Sequence, residues 1–173
     1  MRTPIPTGMA MTTDGSGLYR LMAWLSPSYP VGAFTLSHGL EWAVENGTVP
    51  DAAALAAWVE DVLEHGGGRQ DAILFACAWR ARRAGDPSSL AEIVELAAAL
   101  NPSKERRTET LSQGDAFQKI TETAWPASPP WPQGPLAYPV AVAIAAADHG
   151  VALEAALVAY LHAFAANIVS AGG

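Results

Sequence analysis

Apolar residues recur at helical spacing along almost the whole chain. Leu18, Leu21, Met22 and Leu25 fall at i, i+3, i+4 and i+7, and Ser26-Pro27 closes that first helix, because the residue before a proline is pushed out of the α region. After a break at Pro30-Val31-Gly32, Leu36, Leu40, Ala43 and Val44 line one face of a second helix, with Asn46-Gly47 as its stop. Asp51 caps a third helix, whose stripe is Leu55, Trp58, Val59, Val62 and Leu63, and Gly66-Gly67-Gly68 is expected to end it. A fourth runs from about Asp71 to Ala84, with Ala72, Phe75, Ala76 and Trp79 inward and Ile73, Leu74 and Cys77 on the other side.

Asp86-Pro87 opens a fifth helix as cap and first turn, and Leu90, Ile93, Val94, Ala97 and Leu100 form its face. Asn101-Pro102-Ser103 separates it from a far more polar helix, Lys104 to about Thr123. Proline then becomes too dense for helix or central strand between Trp125 and Pro132. Two helices close the chain: Val140 to about Asp148, then Leu153 onward, where Leu157, Tyr160, Leu161, Phe164 and Ile168 repeat. No stretch shows sustained period-two alternation. The expectation is an all-α chain of seven or eight helices, with residues 1–17 as a flexible lead-in and 18–173 as one domain.

Composition narrows the function classes. Half of the 173 residues are hydrophobic and 16% are charged, which describes a globular domain with a sizeable core. A net charge of −7 speaks against binding a phosphate backbone, so no nucleic-acid partner is expected. Arg80, Arg82 and Arg83, like Lys104, Arg106 and Arg107, read as helix ends. A single cysteine, Cys77, excludes an internal disulfide and any CxxC motif, consistent with a reducing, cytoplasmic setting. The apolar run Val151 to Ala171 is interrupted by Glu154, His162 and Asn167, so it reads as a buried core helix and not a membrane span.

Catalytic motifs are missing. Gly66-Gly67-Gly68 lacks the spacing and the Lys-Ser/Thr of a phosphate loop, and neither G-x-S-x-G nor H-E-x-x-H occurs. His38, His65, His149 and His162 fall on four different segments; His38 with Glu41, or Glu64 beside His65, supplies too few convergent ligands for a first-row metal ion, so no bound cofactor is expected. Cys77 reads as an inert thiol among apolar neighbours. Trp58 and Trp79 sit on core stripes; Trp125 and Trp131 suit either packing or a partner contact. A helical ligand-binding protein or enzyme with an inter-helix pocket is the alternative, and it would have to draw on His162, Asn167, Tyr160 and Cys77.

Two segments exceed what a plain connection or a solvated helix needs. The first is the corner Ser26 to Glu41, which pairs Pro27 and Pro30 with apolar Val31 and Phe34 and places Gly39 in an expected helix, at up to about 1 kcal/mol relative to alanine. Gly32 suits a tight bend there, and Gly39 a close approach by another element. The second is the helix from Lys104 to Thr123, where Leu111, Phe117 and Ile120 are the only large apolar residues and Gly114 again breaks the propensity. A solvated face is the default for it, and a docking face the alternative.

At these blocks the chain resembles the UreF family of urease accessory proteins. The resemblance rests on Ser26-Pro27, Pro30-Val31-Gly32-Ala33-Phe34, Ser37 and Gly39-Leu40-Glu41-Trp42, then on Glu105-x-x-x-Glu109-Thr110-x-x-x-Gly114. It continues in Tyr138 to Val142, His149-Gly150, Tyr160-Leu161 and Asn167 to Ser170. It implies an all-α scaffold that dimerises and binds accessory protein D (called H in some species). That pair recruits the GTPase G, which carries nickel, and the assembly acts on apo-urease. On this resemblance the partner-binding candidates are Pro30, Gly32, Phe34, Ser37, His38, Gly39, Glu41, Glu105, Arg106, Glu109 and Gly114. Nickel is handled by the complex, and the chain is neither an enzyme nor a membrane protein. Family members continue past the Asn-Ile-Val-Ser segment into a Pro-Leu-Gly-Gln-like stretch. Here Ala171-Gly172-Gly173 comes last, so the family's C-terminal contact with protein D is expected to lie outside this sequence. Asp115 and Phe117 also depart from the basic or smaller residues the family often carries there.

Overall fold

The computed structural model describes residues 13–32 and 39–171. Among these, eight helices and no strand are present: α1 (Gly15–Trp24), α2 (Leu40–Glu45), α3 (Ala52–Glu64), α4 (Gly67–Ala84), α5 (Pro87–Ala99), α6 (Lys104–Ala124), α7 (Tyr138–Asp148) and α8 (Leu153–Ala171). Side chains that can satisfy the free N–H groups of a first turn set four of the starts. Asp14 accepts from the Gly17 amide at 2.8 Å, Asp51 from Ala54 at 2.9 Å, Asp86 from Ser89 at 3.1 Å and Ser103 from Arg106 at 3.2 Å.

The centre is α7. Pro139 through Ala147 are all buried, and this helix shows no polar side, because α4, α6 and α8 pack around it. Its alanines and valines let those neighbours come close. The closest approach is at α6, where a β-carbon at Gly114 would overlap the Leu136 carbonyl oxygen. Beside it, the Thr110 hydroxyl accepts from the Tyr138 amide at 3.1 Å and so satisfies the first turn of α7. The polar helix is therefore packed along one side, with Gln113, Gly114, Phe117 and Thr121 buried, instead of solvated as its composition suggests.

A run of aromatic rings crosses the core. Trp24 meets Trp125 and Phe117 edge-on at 6.0 and 6.1 Å, Phe117 meets Tyr138 at 5.9 Å, Tyr138 meets Tyr160 at 5.8 Å, and Tyr160 meets Phe75 at 5.4 Å. Trp125 and Trp131 thus pack on the domain itself, with Trp131 6% exposed.

Several expectations shift. Gly67 and Gly68 do not separate α3 from α4; α4 begins at Gly67, and Gly68 is buried against Leu63. The inward face of α4 is Leu74, Phe75, Ala78 and Ala81, rotated from the expected one, because α7 and α5 approach from that side; Ala72 and Ala76 are half-buried and Ile73 is exposed. Cys77 is half-buried. Gly39 is not inside a helix: it caps α2 with φ at 82°, a left-handed conformation that glycine adopts without strain. Leu36 lies outside the described residues. Helix α1 starts at Gly15, inside the expected lead-in. Helix α8 is apolar and long enough to cross a membrane, yet only 17% of its 18-residue apolar window is buried, so it is not the buried core helix its composition suggests.

One ion pair ties the far end together. Arg82 donates from Nε to Asp148 Oδ1 at 2.6 Å and from a terminal nitrogen to Oδ2 at 2.9 Å, with both side chains under a tenth exposed. Its remaining donors go to the Pro129 and Pro130 carbonyls, which fixes the proline-rich loop against α4 and α7.

Two outcomes follow. Gly114→Ala should destabilise by about 1–3 kcal/mol, since backbone on both sides must move, and the urea midpoint will report it. Arg82→Ala should cost about 3–5 kcal/mol by leaving Asp148 buried and unpaired, and adding Asp148→Ala should recover part of that loss in the same titration.

Candidate docking surface

The corner and the polar helix, singled out separately along the chain, meet in space. The corner turns on Tyr29 and Val31. Val31 is buried, and the Tyr29 ring lies 5.5 Å from Phe117 with its hydroxyl 2.8 Å from the Thr121 hydroxyl. That bond anchors the corner on α6. Gly32 then takes φ 67°, the tight bend expected of it, and Pro30 and Gly32 stand exposed beside the anchor. Phe34, Ser37 and His38 lie outside the described residues. Gly39 and Glu41 are exposed on α2, which Leu40 and Ala43 hold against Ile168 in a second, smaller hydrophobic cluster with Val49.

On α6 the candidates divide. Glu105 is exposed in the first turn, where a negative charge suits the helix dipole. Glu109 is half-buried; burial raises its pKa against the opposing pull of Arg106 and of a 3.1 Å bond from Gln113. Gly114 faces inward against Leu136 and offers nothing to a partner; its role is close packing. Arg106 faces a carboxylate that sequence reasoning passed over, Asp71 of α4.

Asp71 sits in the floor of a large groove of about 1240 Å³, walled by α1 and α8 and floored by α6, α7 and Asp71 itself. Its Oδ2 accepts from the Tyr160 hydroxyl at 2.8 Å. Loss of hydration raises its pKa to about 6, although the Tyr160 bond and the Arg106 charge both pull the other way. Burial and the adjacent Asp71 charge push Tyr160 well above the usual tyrosine range, and burial pushes Tyr138 up as well. The signal for Asp71 was present in the sequence as a lone acid leading into Ala72-Ile73-Leu74-Phe75, but it read as a helix start. Of the polar groups named for an inter-helix pocket, His162 and Asn167 line this groove from exposed positions, Tyr160 does so from a buried one, and Cys77 is not part of it.

Other polar groups are structural. His149 bonds the Trp125 carbonyl at 3.1 Å, and burial lowers its pKa. His65 pairs with Asp61 at 3.3 Å on an exposed face. Among the described residues, no three His, Cys, Asp or Glu side chains converge on a point that could hold a metal ion.

Known proteins match this chain over most of its length. Residues 49–173 match the UreF family model. The chain belongs to the UreF family. A urease accessory protein UreF of Methylorubrum populi is 57% identical over 157 residues, covering 88% of this chain and 70% of the relative. That of Rhodopseudomonas palustris strain HaA2 is 51% identical over 171 residues, 95% of this chain and 72% of the relative. That of Methylobacterium radiotolerans is 53% identical over 157 residues, covering 88% and 69%. In this UreF-family chain the corner therefore meets α6 at Phe117 and Thr121, while Glu105, Arg106 and Glu109 lie toward the other end of that helix.

The Asp71 carboxyl also makes a stability prediction. Its folded pKa of about 6 lies above the ordinary 3.8, so folding favours the protonated form. The contribution is complete below 3.8 and is lost as pH rises through 6. Asp71→Asn should keep the Tyr160 bond and remove this loss. It should raise stability at pH 7.5 by up to about 3 kcal/mol and flatten the change between pH 4 and 7, as read by urea unfolding across that range.

Proposed function

We propose that this UreF-family protein acts in urease maturation as a non-catalytic scaffold. In this reading it works in the cytoplasm as a homodimer, binds accessory protein D (H), and with it recruits the GTPase G, whose activity it regulates, so that nickel passes into apo-urease. The carrying observation is the UreF match, which runs over most of the chain at about half identity to proteins named urease accessory protein UreF. Catalysis needs a nucleophile, a metal or a matched acid–base pair in a cleft, and no motif in the sequence supplies one. Nickel is cargo of the assembly here, not a resident of this chain.

The contact surface proposed for the partners is the corner with the outer side of α6: Pro30, Gly32, Phe34, Ser37, His38, Gly39 and Glu41, with Glu105, Arg106 and Glu109. Support comes from the exposure of Pro30, Gly32, Gly39, Glu41 and Glu105, which leaves them available, and from the Tyr29–Thr121 anchor, which limits the ordering entropy a partner must offset. Gly114 drops out of the contact set because its face is covered.

The test is a chimera in which residues 13–171 replace the matched region of the Methylorubrum populi relative, expressed in a urease-positive host deleted for its own UreF. Restored urease activity is expected, together with recovery of proteins D and G in a pull-down. Glu41→Ala with Glu105→Ala should cut both by tenfold or more while the far-ultraviolet dichroism stays unchanged. A folded chimera that leaves urease inactive and captures neither protein overturns the reading.

A further inference from the structure

His149 closes α7 at a junction of three helices. Its ring centroid lies 5.7 Å from that of Trp24 in α1, and its Nε2 lies 3.1 Å from the Trp125 carbonyl oxygen at the end of α6. A carbonyl only accepts, so Nε2 carries the proton of the neutral ring and a second proton must enter at Nδ1. Trp24 is fully buried, and with Gly17 and Leu21 it forms the buried side of α1. The same indole meets Trp125 and Phe117, and Phe117 meets Tyr29, on which the corner turns. Whatever seats Trp24 therefore also sets where α1 delivers the corner.

Little at this junction would balance a charge on the ring. The charge of Arg20, one turn before Trp24 on α1, reaches His149, and its Nε is buried without a hydrogen-bond partner. Another of its nitrogens donates to the Ser16 hydroxyl, while Asp14 at the start of α1 is bound to the Gly17 amide and to Ser16. On α7 the neighbouring Asp148 attracts a charged ring, but Arg82 of α4 already holds both of its oxygens. Toward α6 the ring meets the Trp125 carbonyl, which also favours charge. Burial and Arg20 outweigh these two, and the ring is held below its ordinary pKa of 6.5. Folding thus favours the neutral ring. Its contribution is complete above 6.5 and is lost as pH falls below that value, because the unfolded chain takes up the proton first. Asp71 has the opposite sign and sits elsewhere, bonded to Tyr160 of α8.

We propose that His149 is an acid-released latch on α1. Neutral, the ring packs beside Trp24 and ties that contact to the Trp125 carbonyl. Protonated, it sets a second cation beside Arg20, and Trp24 loses its seat. Helix α1 and the corner after it then open as a unit while α4 and α7 stay folded. The latch stands on this junction alone; only its consequence, weaker partner contact in acid, rests on the corner reading above.

Hydrogen exchange of the whole chain, read by mass spectrometry at pH 7.5 and 5.5 and corrected for the exchange chemistry itself, reports the opening. In an Asp71→Asn background, which removes the other acid-sensitive group, residues 15–32 should lose protection by about threefold or more at pH 5.5. Residues 74–84 and 138–148 should keep theirs. His149→Gln retains an N–H for the Trp125 carbonyl but cannot charge, so it should abolish the loss. Arg20→Gln removes the facing cation and should reduce it. In the unmodified chain the His149 imidazole resonance should titrate below 6.5, a check that depends on no variant folding. An equal loss in His149→Gln, a resonance titrating at or above 6.5, or a loss spread evenly over α4 and α7 overturns the proposal. Opening with undiminished capture of proteins D and G supports the latch and overturns the corner reading instead.

Discussion

Helix α7 must be approached on nearly every side, and the side chains of Val140 through Ala147 are small enough to permit it. A helix in that position cannot be amphipathic, and its neighbours carry the fold's asymmetry instead: α4 turns Leu74, Phe75, Ala78 and Ala81 toward the core, and α6 turns Gln113, Gly114, Phe117 and Thr121. The approach of α6 is limited by backbone, not by side chains, which is why glycine stands at 114 in an otherwise unremarkable polar helix. Small side chains at the axis and a glycine at the contact are one constraint seen from two helices.

That constraint places the proposed contact surface. Once α6 is drawn against α7, Phe117 and Thr121 offer a seat for Tyr29, and the corner that follows α1 is held where it can be met from outside. The other end of α6 delivers Arg106 to the neighbourhood of Asp71, while α8 contributes Tyr160. The rim and the groove are therefore two products of the same packing. One is an exposed turn at Pro30 and Gly32, anchored through Tyr29; the other is an apolar trough with a carboxylate in its floor.

The UreF resemblance is legible in blocks whose residues do different jobs. In the corner, Gly32 and Gly39 hold left-handed backbone and Val31 is buried, so part of what looks like a recognition motif is the geometry that presents it. In the polar helix, Glu105 remains outside while Gly114 serves packing. A motif read along the chain mixes presenting and presented residues; burial separates them.

Periodicity and end signals alone determined the all-helical class, the caps at Asp51 and Asp86, and the proline loop, because these depend on residues within a turn or two of one another. The absence of catalytic and metal motifs and the family resemblance were likewise readable there. Tertiary structure decided the rest. The inward face of α4, the packed side of α6 and the under-buried α8 depend on which helices arrive from which direction, and so do the Arg82–Asp148 pair, 66 residues apart, and the Asp71–Tyr160 pair, 89 apart. A lone Asp71 carries no sign of its partner, because its pKa and its chemistry come from desolvation by helices that the local sequence does not contain.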